Sequence, residues 1–327
     1  MIEIEIGKND AGQRLDRFLS KAYPRLNQAL VQKLVRKKRI KRNDARCDCR
    51  DMLAFGDRLK LYLSDELLAR ENTAKTTVSA EIEVVYEDEN IILVDKPAGL
   101  VVHEDSENTA DTLINRITAY LTEKGEYNSE NEQSFAPALC NRLDRNTCGI
   151  VVAAKNAESL RILNEKIRGR ELQKRYLCLL AGRPPKKSDK LSLWLEKDGA
   201  KNRVFVHEQE KNGALTAVTE YRVLEYFDDF TLAEINLITG RTHQIRATMS
   251  WIGCPVLGDS KYGNNAQNRR FGLKKQALCA YKLGFDFNSD SGILSYLDGK
   301  SFVVSEPWFL KKFGIDIAKT LEKADEK

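Results

Sequence analysis

Residues 141–155 read NRLDRNTCGIVVAAK, and the rest of the chain is best interpreted outward from this stretch. Its second half is a short apolar run of the kind that forms a buried strand. The residues from Asn146 to Gly149 favour a turn. Asp144 is therefore expected on a loop that leads into a core strand. Two interpretations are open for this carboxylate: a turn locked by an ion pair with Arg142 or Arg145, or a reactive group.

The tetrapeptide RLDR also occurs at 14–17, within AGQRLDRFLSKAYP. There, Leu15, Phe18, Leu19 and Ala22 recur with the spacing of an amphipathic helix. This pattern predicts a helix with Asp16 on its outer face, as a surface charge paired loosely with a neighbouring arginine. The same four letters therefore predict different structures in the two places.

Length and composition limit the class of protein. The 327 residues suffice for two domains, and 42% of them are apolar. No run approaches the roughly 18–20 apolar residues of a membrane span, and MIEIEIGKND does not resemble a secretory signal. The seven cysteines form no CxxC pair, which indicates free thiols and a cytoplasmic protein. With three histidines far apart in sequence, we expect no zinc site.

Positive charge is concentrated at the start of the chain. Residues 1–62 carry 16 Lys and Arg against 8 Asp and Glu, whereas the chain as a whole has a net charge of +5. The densest part is VQKLVRKKRIKRNDAR at 31–46. Such a run is either a solvated face or a polyanion site. Its few acidic partners and the charge asymmetry favour a nucleic-acid surface.

A small domain is expected around this run. Asn27 is a good N-cap for a second helix, which a short strand at 39–42 and a turn at Asn43 and Asp44 follow. NQALVQKLVRKKRIKRND resembles the pattern of the small S-four type RNA-binding domain first described in a ribosomal small-subunit protein, with Lys38 in place of the usual glycine. We expect this domain at 1–63 and a polar linker at 64–80. A second polar stretch at 123–136 is expected to be a mobile surface loop.

A second group of polar side chains follows another apolar strand. In LITGRTHQIRATMSWIGCPVLGDSKYG, residues 237–263, Arg241, His243, Gln244 and Arg246 lie within six residues. Buried donors need acceptors, and an RNA phosphate, a base edge or a carboxylate would serve. A solvent-facing start of a helix is the alternative.

Several motifs together resemble the RluA family of pseudouridine synthases. NRLDRNTCGIVVAAK is similar to its HRLDRxTSGxxxxAK motif, and DKPAGLVVH, LQKRYLCLLAG, TGRTHQIR with IGCPVLGDSKYG, and QALCAYKLGF are similar to further signatures in the same order. The resemblance spans residues 10–310. It implies an α+β fold at 81–327, with a mixed, mainly antiparallel central sheet, flanking helices and an RNA-binding cleft.

The resemblance also implies a reaction. Members of the family isomerise uridine in RNA to pseudouridine, by detaching the base from C1′ and rejoining it through C5, without a cofactor or a metal. The family's essential aspartate maps onto Asp144. Its motif tyrosine maps onto Tyr176, which would stack under the flipped uracil. Its late arginine maps onto Arg246, which would pair with Asp144 and keep that partly buried carboxylate ionised.

Further residues are expected to contact RNA. Arg142 and Arg145 would hold the flipped nucleotide, and His103, Arg241 and Gln244 either contact RNA or stabilise turns. The exposed basic patch would consist of Arg36, Lys37, Lys38 and Arg39. We expect a monomer whose partner is RNA and not a membrane. Ribosomal large-subunit RNA is the preferred substrate, and transfer RNA remains open.

The motif shows departures from the family pattern: Asn141 stands where His is usual, and Cys148 where Ser is usual. These changes leave a second hypothesis, a catalytically silent RNA-binding or ribosome-assembly factor with the same fold. A nucleotide-dependent enzyme is disfavoured because the chain has neither GxxxxGK[ST] nor a GxGxxG that opens a helix.

Overall fold

A computed structural model of the chain describes residues 1–69, 78–104 and 109–325. Within the stretch expected as a linker, 64–80, the residues 70–77 lie outside the described part. Residues 65–68 form a short helix, so the stretch begins with regular structure. No helix in the described ranges combines the length and apolar character that a membrane crossing requires.

The first sheet lies entirely within an N-terminal module, residues 2–68. Its elements are β1 (Ile2–Glu5), α1 (Leu15–Ala22), α2 (Gln28–Arg36), β2 (Ile40–Arg42), β3 (Ala45–Arg46), β4 (Arg58–Leu61) and α3 (Asp65–Leu68). The antiparallel strands follow the order β1-β4-β2-β3. Both longer helices pack on this sheet through one apolar cluster that includes Phe18, Leu19 and Leu59.

Local sequence explains the turns of this module. Asn27 caps α2 by accepting the amide N–H of Leu30 at 2.9 Å, as predicted. Lys38, which replaces the usual glycine, has a left-handed backbone with φ of 57° after the helix ends. Asn43 and Asp44 also have positive φ, which joins β2 to β3 by a tight turn.

The predicted surface position of Asp16 was wrong, although its predicted pairing with a neighbouring arginine was right. Its residue is fully buried, and its carboxylate accepts Arg14 Nε at 3.1 Å and the Arg17 amide at 2.8 Å. The reason is tertiary: the segment that contains Cys49 and Asp51 covers the start of α1 through hydrogen bonds to the amides of Asp16 and Leu15. A helical pattern shows which residues share a face, but not that a distant segment covers the polar one.

The second sheet is built from the rest of the chain. The elements are β5 (Glu83–Glu87), β6 (Ile91–Lys96), α4 (Leu113–Glu123), β7 (Ala138–Leu139), β8 (Cys148–Ala154), α5 (Ala157–Gly169), β9 (Leu172–Ala181), β10 (Ser188–Asp198), β11 (Arg203–His207), β12 (Leu215–Tyr226), β13 (Phe230–Leu237), α6 (Gln244–Trp251), α7 (Asn265–Arg270), β14 (Leu278–Phe285), a 3₁₀ helix (Gly292–Leu297), β15 (Ser301–Val303), α8 (Trp308–Phe313) and α9 (Ile317–Asp325).

This sheet is mixed and mainly antiparallel, which confirms the expected α+β fold. The main strand order is β11-β10-β12-β13-β9-β14-β8-β6-β5, with β15 added to β14 and β7 to β8. The pair β14–β8 is parallel, and the other described pairs are antiparallel. This parallel pair joins the two antiparallel halves of the sheet and places β8 beside β14, which is far away in sequence.

Two apolar clusters cover the two faces of the sheet. One face packs against α5, the 3₁₀ helix and α8, and the other packs against α4 and α6. Strand β8 contributes Ile150 and Val152 to the first cluster and Val151 and Ala153 to the second. Because β8 is buried on both sides, its sequence is a continuous apolar run and not an alternating one.

Gly149 permits the close approach of β8 and β14. Its φ is 111°, and a β-carbon added there would lie 2.3 Å from the carbonyl oxygen of Ala280. No other residue type fits this spacing without moving one of the strands. The glycine of the motif thus fixes the strand that follows Asp144.

The polar stretch at 123–136 contacts the N-terminal module. Ser134 donates its hydroxyl to Asp10 at 2.6 Å, and Asn9 donates its side-chain amide to Glu132 at 2.7 Å. Gln133 donates to the backbone carbonyl of Glu5. The structure thus confirms a surface loop and gives it specific hydrogen-bond partners on the N-terminal module.

Candidate active site

A cleft of about 540 Å³ opens beside the loop that carries Asp144. The loop 140–147 forms one wall, and the segment 237–246, which joins β13 to α6, forms another. Tyr176 on β9 lines the cleft between them. The three residues expected to act in catalysis, Asp144, Tyr176 and Arg246, therefore meet in one cavity although they are far apart in sequence.

Asp144 and Arg246 form the expected ion pair. Arg246 Nη1 donates to Asp144 Oδ2 at 2.7 Å, and about a quarter of the Asp144 side chain remains exposed. The same guanidinium donates through Nε at 2.6 Å and Nη2 at 3.1 Å to the carboxylate of Asp259. This bidentate contact fixes the plane of the guanidinium and leaves Nη1 for Asp144.

Asp259 had no assigned role in the sequence, although the motif GDSKYG contains it. It is fully buried and also accepts the amide N–H groups of Lys261 and Tyr262, at 2.9 and 3.0 Å. Burial alone would raise the pKa of Asp259, but the contacts with Arg246 and the two backbone amides together outweigh burial and lower it. In Arg246, burial opposes the charged form, yet Asp259 and Asp144 together raise its pKa.

His243 adds an uncharged side chain to the site. Burial, opposed by Asp144, lowers the pKa of His243 to about 4, so the ring is neutral at pH 7. Its Nδ1 lies 3.0 Å from the Tyr262 hydroxyl, which also accepts the Val204 amide N–H at 2.7 Å. Because that hydroxyl has one proton to donate, we assign it to Nδ1. The ring proton then lies on Nε2, 4.0 Å from Asp144 Oδ2.

Tyr176 is a buried phenol at the back of the cleft. It is 6% exposed, and burial together with the charge of Asp144 raises its pKa well above the ordinary value. The hydroxyl is therefore protonated over the physiological range. A neutral aromatic face next to a carboxylate is suited to stacking against a planar base.

Lys96 supports the loop that carries Asp144, and the sequence had not indicated this. Its fully buried Nζ donates to the carbonyls of Pro97 at 2.9 Å, Leu100 at 2.8 Å and Arg145 at 3.0 Å. The Gly99 amide also donates to the Arg145 carbonyl, at 2.8 Å. Burial lowers the pKa of Lys96 to about 8. The lysine of the DKPAGL stretch thus ties the turn that follows it to the residue after Asp144.

Asn141 has a structural role in this loop. Its Oδ1 accepts the Val152 amide at 2.8 Å, and its Nδ2 donates to the Ile150 carbonyl at 3.4 Å. These contacts bind the loop to β8. Cys148 is buried, and its thiol donates to the Leu278 carbonyl across the parallel pair. Both departures from the family pattern therefore fit without disturbing Asp144.

The predicted RNA-contacting residues differ in their surroundings. Arg142 and Arg241 line the cleft and are exposed. Arg145 and His103 are exposed but are not part of its lining, although burial of the ring and the charge of Arg142 lower the pKa of His103. Gln244 is buried and binds Thr239, Thr219, the Val218 carbonyl and the Arg241 amide. Its geometry favours the turn-stabilising alternative.

Three cations in the cleft wall were missed. Arg168, Arg170 and Lys174 line the cavity from the end of α5 and the start of β9. Lys174 belongs to the motif stretch LQKRYLCLLAG, whereas Arg168 and Arg170 match no pattern, because the chain changes from helix to strand beside them. The signal that could have indicated Lys174 is strand alternation, since it is two residues from Tyr176 and shares its face.

Several known proteins are similar to this chain. Residues 90–251 match the family described as RNA pseudouridylate synthase. An uncharacterised RNA pseudouridine synthase of Aquifex aeolicus is 32% identical over 283 residues, which cover 84% of this chain and 85% of that protein. The ribosomal large subunit pseudouridine synthase D of Nitrosomonas europaea is 30% identical, with 86% and 79% covered.

A solved structure supports the same fold. Human RNA pseudouridylate synthase domain containing 4 superimposes with a TM-score of 0.56 at 22% identity, covering 72% of this chain and 94% of that one. The range that matches the family, residues 90–251, includes the loop with Asp144 and the segment with Arg246.

Proposed function

The chain belongs to the RNA pseudouridine synthase family, whose reaction is the isomerisation of uridine to pseudouridine in RNA, and from that premise we propose which residues carry the reaction and which RNA is the substrate. The observation that carries the proposal is the Asp144–Arg246 contact in an open cleft, with Tyr176 beside it. A silent RNA-binding factor would have no need for this buried arrangement.

Asp144 is the nucleophilic group. Arg246 holds Oδ2, which leaves Oδ1 available to the substrate, and Asp259 holds Arg246 in turn. The carboxylate assists rupture of the bond between C1′ and N1, through either a covalent or an ion-paired intermediate with the ribose or the base. The detached uracil turns, C5 bonds to C1′, the proton on C5 is lost to solvent, and N1 takes up a proton in its place. Uridine and product have the same composition, so no other reactant is consumed.

The other cleft residues hold the flipped nucleotide. Tyr176 stacks against the uracil, which offsets part of the cost of taking the base out of folded RNA. Because the pKa of Tyr176 is raised, we assign it first to stacking, with proton removal as a later role. Arg142 and Arg145 bind the nucleotide or its phosphate, and Arg241 is a further RNA contact.

Ribosomal large-subunit RNA is the proposed substrate. The name of the Nitrosomonas europaea relative, ribosomal large subunit pseudouridine synthase D, supports this choice. The N-terminal module supports it too, because its basic patch, Arg36, Lys37, Lys38 and Arg39, is exposed as a whole at the end of α2. We further propose that this module is an S-four type RNA-binding domain and that the chain belongs to the RluA group of the family, acting as a monomer in the cytoplasm.

The decisive experiment is tritium release from RNA labelled at uridine C5. Wild type, Asp144→Ala and Asp144→Asn are compared on large-subunit ribosomal RNA and on bulk transfer RNA, and urea unfolding verifies that each variant is folded. We expect release by the wild type on ribosomal RNA and none by either variant. Full activity of Asp144→Asn would refute the assignment of Asp144 as the nucleophile. Tritium release on transfer RNA alone would show that transfer RNA, and not ribosomal RNA, is the substrate.

The basic patch is tested by salt dependence of binding. Replacing its four cations with Gln should weaken binding and reduce the slope of log affinity against log salt by up to about 0.7–0.9 per lost phosphate contact. The matched control replaces four exposed lysines on the face away from the cleft: Lys311, Lys312, Lys319 and Lys323. Equal slopes for the two variants would mean that the patch is only a solvated face.

A further inference from the structure

Arg168, Arg170 and Lys174 form a group that the proposed reaction does not use. All three line the cleft, and we call them the cationic rim. Arg170 follows the last residue of α5 with a left-handed backbone, φ of 62°, which turns the chain sharply from the helix into β9. This turn at Arg170 places the end of α5 and the start of β9 side by side in the cleft wall.

Lys174 is a partly buried cation that has no counter-ion in the described part of the chain. Its Nζ makes no hydrogen bond or ion pair with any described residue, and it would lie 3.7 Å from a β-carbon added to Gly240 across the cleft wall. Burial, followed by the positive charge of Arg170, lowers its pKa. Partly buried charges are normally paired because removing them from water is costly. This lysine therefore has the surroundings of a group that meets its anion only when substrate binds.

The balance of charge in the cleft supports this. Asp144 is the carboxylate among the described lining residues, and it is already paired with Arg246. Arg246 is shared between Asp144 and Asp259, so these three groups together keep one negative charge, which is fewer than the three positive charges of the rim. The cleft therefore carries uncompensated positive charge close to the reacting group, a distribution that attracts a polyanion.

The position of Lys174 suggests which anion it binds. Lys174 and Tyr176 are two positions apart on one face of β9, which places their α-carbons about 6.6 Å apart. A base stacked on Tyr176 would have its own sugar and phosphate within reach of that lysine. We propose that the cationic rim, with Lys174 as its central member, binds the backbone phosphate adjoining the flipped uridine and so positions the ribose over Asp144. This inference rests on the proposed function.

The first test separates substrate positioning from structure. With the RNA that the wild type modifies, Lys174→Met should lower kcat/KM by roughly 10- to 100-fold, the range for one lost charge-assisted hydrogen bond. It should also reduce the slope of log RNA affinity against log salt concentration by about 0.7, the value for one contact to single-stranded phosphate. Lys174→Arg should restore most of the activity. Without RNA, the midpoint of thermal unfolding should stay constant or rise, since an unpaired charge has been removed.

The matched control is Lys312→Met, which removes one exposed lysine on the opposite face of the sheet. It should change neither kcat/KM nor the salt slope. A loss of thermal stability in Lys174→Met, or equal kinetics for Lys174→Met and wild type, would overturn the inference.

The second test identifies the phosphate. RNAs that carry one uncharged methylphosphonate linkage, either next to the target uridine or three nucleotides away, are compared in wild type and Lys174→Met. If Lys174 binds the adjoining phosphate, the loss caused by Lys174→Met disappears only on the RNA with the adjoining neutral linkage. The same loss on both RNAs would refute the assignment.

Failure of the inference can be told from failure of the proposed function. Wild-type activity on unmodified RNA tests the proposed function, and only the differences between wild type and Lys174→Met test the rim. If the wild type is active and Lys174→Met has the same kinetics, the proposed role of the cationic rim is wrong and the proposed role of Asp144 is unaffected.

Discussion

Replacing Lys96 with Met should separate catalysis from stability. The Lys96 ammonium group donates hydrogen bonds to three backbone carbonyls. In the variant, the Arg145 carbonyl would still accept the Gly99 amide. The carbonyls of Pro97 and Leu100 would lose their donor, at about 1–3 kcal/mol each. Relief of the buried charge offsets roughly 3 kcal/mol, given a pKa of about 8 against 10.5. The net effect on unfolding free energy lies between a small gain and a loss of about 3 kcal/mol.

Activity should respond more strongly than stability. Without the ammonium group, the turn after Lys96 and the backbone of Arg145 are no longer joined, so Asp144 can shift relative to Arg246. A displacement of about 1 Å at a reacting group can cost roughly 100-fold in rate. Tritium release gives kcat/KM, and urea unfolding gives stability on the same preparation.

Lys155→Met is the matched control, because Lys155 follows the opposite end of β8 and donates to the Asp88 carbonyl at 2.6 Å and to Glu87 at 2.8 Å. It should lose stability but keep kcat/KM while folded. If Lys96→Met retained kcat/KM within about threefold of wild type, where a 1 Å shift predicts about 100-fold, the supporting role of Lys96 would be wrong.

The pH dependence of Lys96 provides an independent check. Its folded pKa of about 8 lies below the unfolded 10.5, so between these values the unfolded chain binds more protons. The Lys96 contribution to stability is therefore least favourable below pH 8 and improves from pH 8 to 10.5. Activity should fall over the same interval, since the neutral amine has one donor fewer for the three carbonyls. This activity loss should be absent in Lys96→Met; parallel profiles would contradict the assignment.

Two further substitutions test the parts around the loop. Gly149→Ala should cost at least about 1–3 kcal/mol from the positive φ alone and more from the clash with β14, with a loss of activity at any temperature where the protein stays folded; unchanged urea unfolding would show that the strands can separate freely. Asp259→Asn should cost about 3–5 kcal/mol by leaving Arg246 half-paired and should lower kcat/KM. Because the pKa of Asp259 is lowered in the fold, the wild type loses this stabilisation as the pH falls below about 3.9 and the variant does not, which acid unfolding measures.

The sequence was informative where chemistry is local. The apolar run after Gly149 predicted a buried strand, Asn27 predicted the start of α2, and the motifs indicated that Asp144 and Arg246 would be partners. In the first two cases the residue type and its near neighbours carry the information, whereas the Asp144–Arg246 pair, 102 residues apart, was implied only by the resemblance to the family. The catalytic roles themselves stay predictions that activity measurements must test.

Long-range contacts could not be predicted in the same way. Asp16 is buried by a segment more than 30 residues away, and Lys96 binds a carbonyl 49 positions further along the chain. Asp259 becomes an anchor for Arg246 only because a loop folds over α6. A pattern of letters contains the donors and acceptors but not the tertiary partner that each one meets.

The parallel contact between β8 and β14 also determines when the enzyme becomes active during its synthesis. The Cys148 thiol and the Leu278 carbonyl are joined across 130 residues of chain. At about 5–20 residues per second, a ribosome needs roughly 7–26 s to make that interval. The nascent polypeptide therefore carries Asp144 for many seconds before the strand that supports its loop has been translated, while residues 2–61 already contain every strand of the first sheet. A ribosome that stalls before residue 278 would leave a product able to present its basic patch to RNA but without a completed reaction centre.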